Sequence, residues 1–260
     1  MGLFRALTIG LFILAVPLAL ITTNIRLAVS ETAVYDYSVR TYDAAAVSGI
    51  PEDELLRANG RIQRYLTHDD AGPLAIQVRD SAGRTAPLFS AKETVHMADV
   101  RNLVQALFAA QVASVALLMT LAVVMLVLWP PRALAAAALC GSLLTAALLG
   151  ATGLLAVSGF DAAWGKFHVI AFSNDFWRLD PDTDHLIQMF PEAFWQKATT
   201  AIGAFTMLEA LLLGSLSLAY LAFSRPEKPV AIVRPAPALP GPAGHARPRM
   251  APPDPHHLVR

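Results

Sequence analysis

Four stretches of the chain are apolar for long enough to cross a bilayer. A membrane-spanning helix needs roughly 20 mostly apolar residues. Residues 6–23, 103–128, 134–158 and 201–223 meet that requirement. They divide the chain into a first span ending at residue 23, an outer segment 24–100, a second span 101–129, a third 134–158, an outer loop 159–198, a fourth span 199–223 and a tail 224–260.

Between the spans the pattern changes period. Pro51 leads Glu52, Asp53 and Glu54 as a first-turn proline would. Leu55, Leu56, Ile62 and Leu66 then fall at helical spacing, which predicts an amphipathic helix. Residues 74–78 alternate like a short strand, and Asp80-Ser81-Ala82-Gly83 is turn chemistry. Thr85 to Phe89 is placed to return as its partner. Ser90-Ala91-Lys92-Glu93 has the spacing of a capping box, and no helix breaker follows until Pro130. The second span therefore begins outside the bilayer, with Glu93, His96 and Asp99 on one stripe of its first turns. The fold class is a mainly α membrane protein, with four transmembrane helices and a small extracytoplasmic α+β cap.

Composition sharpens this picture. Charged residues make up 15% of the chain, against about 25% in soluble domains. The formal net charge is +0, so no basic surface invites nucleic acid. The single cysteine, Cys140, can form no internal disulfide and fits no metal spacing. Arg5, Arg132, Arg225 and Lys228 flank the spans on one side, which the positive-inside rule makes cytoplasmic. Both termini then lie in the cytoplasm and both long connections lie outside. A signal peptide cleaved near Ala28-Val29-Ser30 is the rival reading of the first segment. The apolar run is long for that, and Thr22, Thr23, Asn24 and Arg26 intervene, so a retained helix is favoured. The proline-, alanine- and arginine-rich tail reads as disordered and cytoplasmic, and it carries His245, His256 and His257.

The outer loop is dense in aromatic and polar residues. Trp164, Phe194 and Trp195 suit an interfacial belt. His168, Asn174, Asp175, Asp180, Asp182, Asp184 and His185 exceed what a spacer needs. His68 and His185 read as surface or structural residues. His96 and His168 each lie where an outer segment meets a span, and histidine carries protons near neutral pH. From the residues alone, a functional and a structural reading of this pair balance. No zinc-protease motif and no nucleophile elbow occurs. No spacing rule supports a metal on His96, Asp99, His168 and Asp175, so no metal is expected. Glu209 lies inside the fourth span, with Gln105 and Gln111 as candidate partners.

His96-Met97-Ala98-Asp99-Val100 and the long run from Phe167-His168 through Asn174-Asp175-Phe176-Trp177 to Phe194 resemble the lipoprotein intramolecular transacylase family. Thr22-Thr23-Asn24 and Ser48-Gly49-Ile50 share in the resemblance, which covers residues 1–223. It implies a bacterial cytoplasmic-membrane enzyme working at the outer leaflet. Such an enzyme moves the sn-2 acyl chain of a diacylglyceryl lipoprotein to the α-amino group of its N-terminal cysteine. The family's essential histidines map onto His96 and His168. Asp99, Asn174 and Asp175 are then candidates to orient or polarise the site, with Asn174 a candidate oxyanion donor. Phe172, Trp177 and Phe190 are candidates for a substrate groove. Ser173 reads as structural. The implied partners are the lipoprotein and membrane lipid, without metal, nucleotide or other cofactor. A non-catalytic membrane factor binding lipid or a partner through the aromatic loop is the alternative of a different class. A third is an enzyme acting on ordinary phospholipid.

Overall fold

The computed structural model describes residues 2–68, 72–157 and 159–224, without the side chains of 154–157. The tail beyond residue 224, with its three histidines, lies outside the described residues. In chain order the elements are α1 (Gly2–Ser30), α2 (Thr32–Thr41), α3 (Ala44–Ser48), α4 (Glu52–Thr67), β1 (Gln77–Arg79) and β2 (Thr85–Pro87). Then follow α5 (Ala91–Leu128), α6 (Pro131–Val157), α7 (Phe160–Ala171), α8 (His185–Met189) and α9 (Glu192–Phe223).

The helices α1, α5 and α9 and the stretch Pro131–Gly153 of α6 are long and apolar enough to span a membrane. Small residues let them approach closely. Ala137, Ala138, Ser142 and Thr145 of α6 are buried. A Cβ added to Gly141 would lie 2.7 Å from Val16 Cγ2, so only glycine fits this crossing of α1 and α6. Phe12, Val16 and Met125 fill the bundle beside those alanines.

Several helices outrun their apolar stretches. With 38 residues, α5 is about 57 Å long, against a hydrocarbon core of about 30 Å. Its apolar run begins at Leu103, so the turns carrying Glu93, His96 and Asp99 precede the span. Met97, Val104 and Phe108 pack instead into a cluster with Leu55, Ile62, Leu88 and Met189, which is the core of the cap. Similarly, α1 continues to Ser30 rather than ending near residue 23. It does so because its polar residues find partners: Arg26 Nη1 donates to Gln111 Oε1 at 3.0 Å and Asn24 Nδ2 to Glu209 Oε2 at 2.7 Å.

The cap follows local chemistry. In α4, Pro51 is the N-cap residue, one position before the helix, and Leu55, Ala58, Ile62 and Leu66 are buried along one face. The strands pair antiparallel, Val78 opposite Ala86. Gly83, at φ +78°, makes the turn, and Asp80 Oδ1 accepts from the backbone amides of Ala82 and Arg84. The capping box at Ser90 forms as its spacing predicts.

The two ends of the bundle differ. At one end Arg5 lies 5.7 Å from the Trp129 ring, and Arg132 binds Ser224 Oγ at 2.7 Å. The start of α1, the α5–α6 turn and the end of α9 therefore meet there. The cap occupies the other end.

Candidate functional site

The site begins with Glu93, which is 1% exposed. Its Oε2 accepts from Ser90 N at 2.7 Å, closing the capping box. Its Oε1 accepts from Leu186 N at 2.7 Å, tying α8 to the start of α5. Lys92 Nζ donates to the Arg178 carbonyl and to Asp184 Oδ2. Asn174 Nδ2 donates to Asp99 Oδ2 at 2.8 Å. The loop after α7 is thus fastened to the turns of α5 that hold His96.

These ties bring the two histidines together. The His96 and His168 rings are 6.1 Å apart, and both are buried, at 6% and 8% exposed. Phe172 touches both, with its ring 5.1 Å from His96 and 5.6 Å from His168. Trp164 meets His168 edge-on at 4.6 Å, and Trp177 lies at 4.9 Å. His168 Nδ1 is 2.8 Å from the Trp164 carbonyl. A carbonyl only accepts, so Nδ1 carries the hydrogen and Nε2 presents a lone pair whenever the ring is neutral. Among the described residues His96 Nδ1 is buried with no hydrogen-bond partner. Such an orphan atom is costly unless something else binds it.

Burial also sets the charge. It pushes His96 down to about 4, the His168 ring acts in the same direction, and Asp99 opposes both. His168 is likewise lowered by burial, partly offset by its bond to the Trp164 carbonyl. Burial therefore favours the neutral form of both rings. Among the described residues no group of three or more His, Cys, Asp or Glu side chains is arranged to hold a metal.

The other candidates separate. Asn174 is half-buried, and its Oδ1 accepts from Phe176 N at 3.1 Å, so its amide is fixed at both ends. Asp175 is 80% exposed and pairs with Arg178 Nε at 2.9 Å; no hydrogen bond or ion pair links it to either histidine among the described residues. Phe190 packs in the cap core, 5.9 Å from Tyr35 and 5.6 Å from Phe194, rather than beside the histidines. His68 is exposed, and His185 Nδ1 contacts Gln188 Oε1. Glu209 binds Asn24, while Gln105 donates to the Leu66 carbonyl and Gln111 to Thr23 Oγ1. Neither glutamine expected as its partner serves it, because α1 lies between.

Two contributors escaped the sequence reading. Trp164, assigned to the interfacial belt, supplies the carbonyl that sets the His168 tautomer. Its position four residues before His168 was the available signal. The whole of α7 was read as loop, although Phe160, Trp164 and His168 recur at one-turn spacing.

The family model for the lipoprotein intramolecular transacylase Lit matches residues 10–195. The chain belongs to the lipoprotein intramolecular transacylase family. Solved structures bear the same fold. The membrane-integral transacylase Lit of Bacillus cereus matches with a TM-score of 0.71 at 22% identity, over 85% of this chain and 97% of that one. Two of its variants, with a histidine replaced by arginine or by alanine, match with TM-scores of 0.67 at 22% identity. They cover 85% of this chain and 93% and 94% of theirs. No curated protein matches. As a member of the family, this chain is a membrane-integral transacylase.

Proposed function

We propose that the chain moves the sn-2 acyl group of a diacylglyceryl lipoprotein to the α-amino group of its N-terminal cysteine, with His96 and His168 as the catalytic pair. The observation that carries this reading is the buried pair itself: two imidazoles 6.1 Å apart, one with a fixed tautomer and one with a nitrogen unpartnered among the described residues.

The reaction is aminolysis of an ester within one substrate. The ammonium, of reference pKa about 7.7–8.0, loses a proton to His168 Nε2. The amine attacks the ester carbonyl, the C–N bond forms and the C–O bond breaks. The glyceryl oxygen takes up that same proton, handed from the His168 imidazolium by way of His96, so both rings end neutral as they began. A proton that leaves nitrogen ends on oxygen, so no co-reactant is needed. Asn174 has a second N–H beyond the one given to Asp99, and it serves as donor to the developing oxyanion; one such donor contributes about 10²–10³ in rate. Asp99 holds that amide and faces the histidine stripe. Asp175 acts only through the Arg178 pair. Holding amine and ester side by side contributes through effective molarity.

The arginines at one end of the bundle make that end cytoplasmic by the positive-inside rule. The protein then sits in the bacterial cytoplasmic membrane with both termini inside and the histidines at the outer leaflet. The partners are the lipoprotein and membrane lipid.

The test is expression in a host lacking lipoprotein N-acylation, followed by fragmentation of an N-terminal lipopeptide by tandem mass spectrometry. Intact mass is uninformative, since intramolecular transfer gives an isomer. One acyl group on the cysteine nitrogen is the expected product, absent with His96→Ala or His168→Ala at wild-type protein levels. Wild-type turnover in either variant removes that histidine from the mechanism.

A further inference from the structure

The protein covers only one apolar face of α7. Phe160, Trp164 and His168 lie on the side packed among aromatic rings. Ala162, Gly165, Lys166 and Val169 follow the i, i+3, i+4, i+7 spacing of a separate stripe. With Ile170 they form one wall of a groove of about 410 Å³, and Trp177 and Arg178 form the other. Val169 and Ile170 are 62% and 86% exposed.

Gly165 occupies a helix interior, where glycine is less favourable than alanine. No heavy atom lies within 4 Å of the position its Cβ would take. Packing therefore does not require the glycine, and its effect is to leave the groove deep. Trp177 belongs to both places, since its ring lies 4.9 Å from His168 and also lines the groove. Trp177 thus stands between the groove and His168. Arg178 stacks on Trp177 at 4.5 Å and already pairs with Asp175. With that charge answered, the walls suit uncharged hydrocarbon better than an anionic headgroup, and the Lys166 stem adds apolar surface.

We propose that this groove holds the acyl chain that is transferred, its ester end at Trp177 beside His168. The inference rests on the transacylase reading and deepens it: the groove selects the chain.

Gly165→Leu and Gly165→Phe would put a side chain into the groove at an open position, and both residues favour helix over glycine. Gly150→Leu, at an equally open position on α6, serves as the control. Purified full-length protein is given diacylglyceryl lipopeptides with short or long chains. Transfer of the long chain should fall about 10–200-fold relative to the short one in the Gly165 variants, and not in the control. A wild-type chain-length profile in both Gly165 variants overturns the proposal. A wild-type protein that transfers no chain would instead count against the reaction. A second readout covers that outcome: a lipopeptide with a photoreactive group on its acyl chain. Cross-links to Val169, Ile170 or Trp177 that Gly165→Phe removes support the groove whatever the turnover. Cross-links confined to other helices, or no cross-link, overturn it.

Discussion

Replacing Glu93 should loosen the loop that completes the site. Its carboxylate accepts from Ser90 N at the exposed helix start and from the buried backbone amide of Leu186, each at 2.7 Å. Glu93→Ala removes both acceptors. Leaving the buried Leu186 amide unsatisfied costs about 1–3 kcal/mol, whereas Ser90 N turns to water. That is a large share of the 5–15 kcal/mol typical of a folded domain. Glu93→Gln keeps one acceptor oxygen for the Leu186 amide and turns its NH2 group toward the exposed helix start, so it should cost less. The two contacts also differ in place. The first holds only the helix start, whereas the second joins α8 to α5. Hydrogen exchange of the Leu186 amide, in detergent-solubilised protein, reads the second directly. A loss of 1–3 kcal/mol corresponds to about 5- to 150-fold faster opening. Exchange at Leu186 should accelerate by that amount in Glu93→Ala, and less in Glu93→Gln. Wild-type exchange at Leu186 in the alanine variant would refute the reasoning, because the amide would then not depend on this carboxylate.

Two further predictions concern charge and the bundle. His96 is held down to about 4 in the folded protein, while an unfolded chain takes up its proton near 6.5. The unfolded state therefore binds more protons between those values, and stability falls as pH drops through that window. Thermal unfolding followed by tryptophan fluorescence should shift less with acidification in His96→Phe than in wild type; parallel shifts would remove His96 as the cause. Asn24→Leu deprives Glu209 of its donor on α1 and should cost about 1–2 kcal/mol. The double variant with Glu209→Leu should recover most of that loss, and simple addition of the two losses would show that the side chains do not interact.

The sequence by itself determined the four spans, the amphipathic helix α4, the hairpin and the capping box. Span length and apolarity are local properties, fixed by the bilayer rather than by any neighbour. The capping box and the Asp80 turn are local too, since their partners lie within four residues. Even the family was legible, because it is written in short runs around His96 and His168. Only the tertiary structure decided what these residues do for one another. The bond from Glu93 to Leu186 joins positions 93 residues apart, and that from Asn174 to Asp99 joins positions 75 apart. Spacing rules do not reach across such distances. The same holds for where the other candidates sit. Asp175 and Phe190 sit in the right stretch of sequence but turn elsewhere, one to Arg178 at the surface and the other to Tyr35 in the cap. Glu209 met Asn24 because α1 packs against α9, a choice made by helix packing and not by polarity. A short helix such as α7 stayed hidden because its apolar residues point two ways, to the histidines on one side and to the groove on the other.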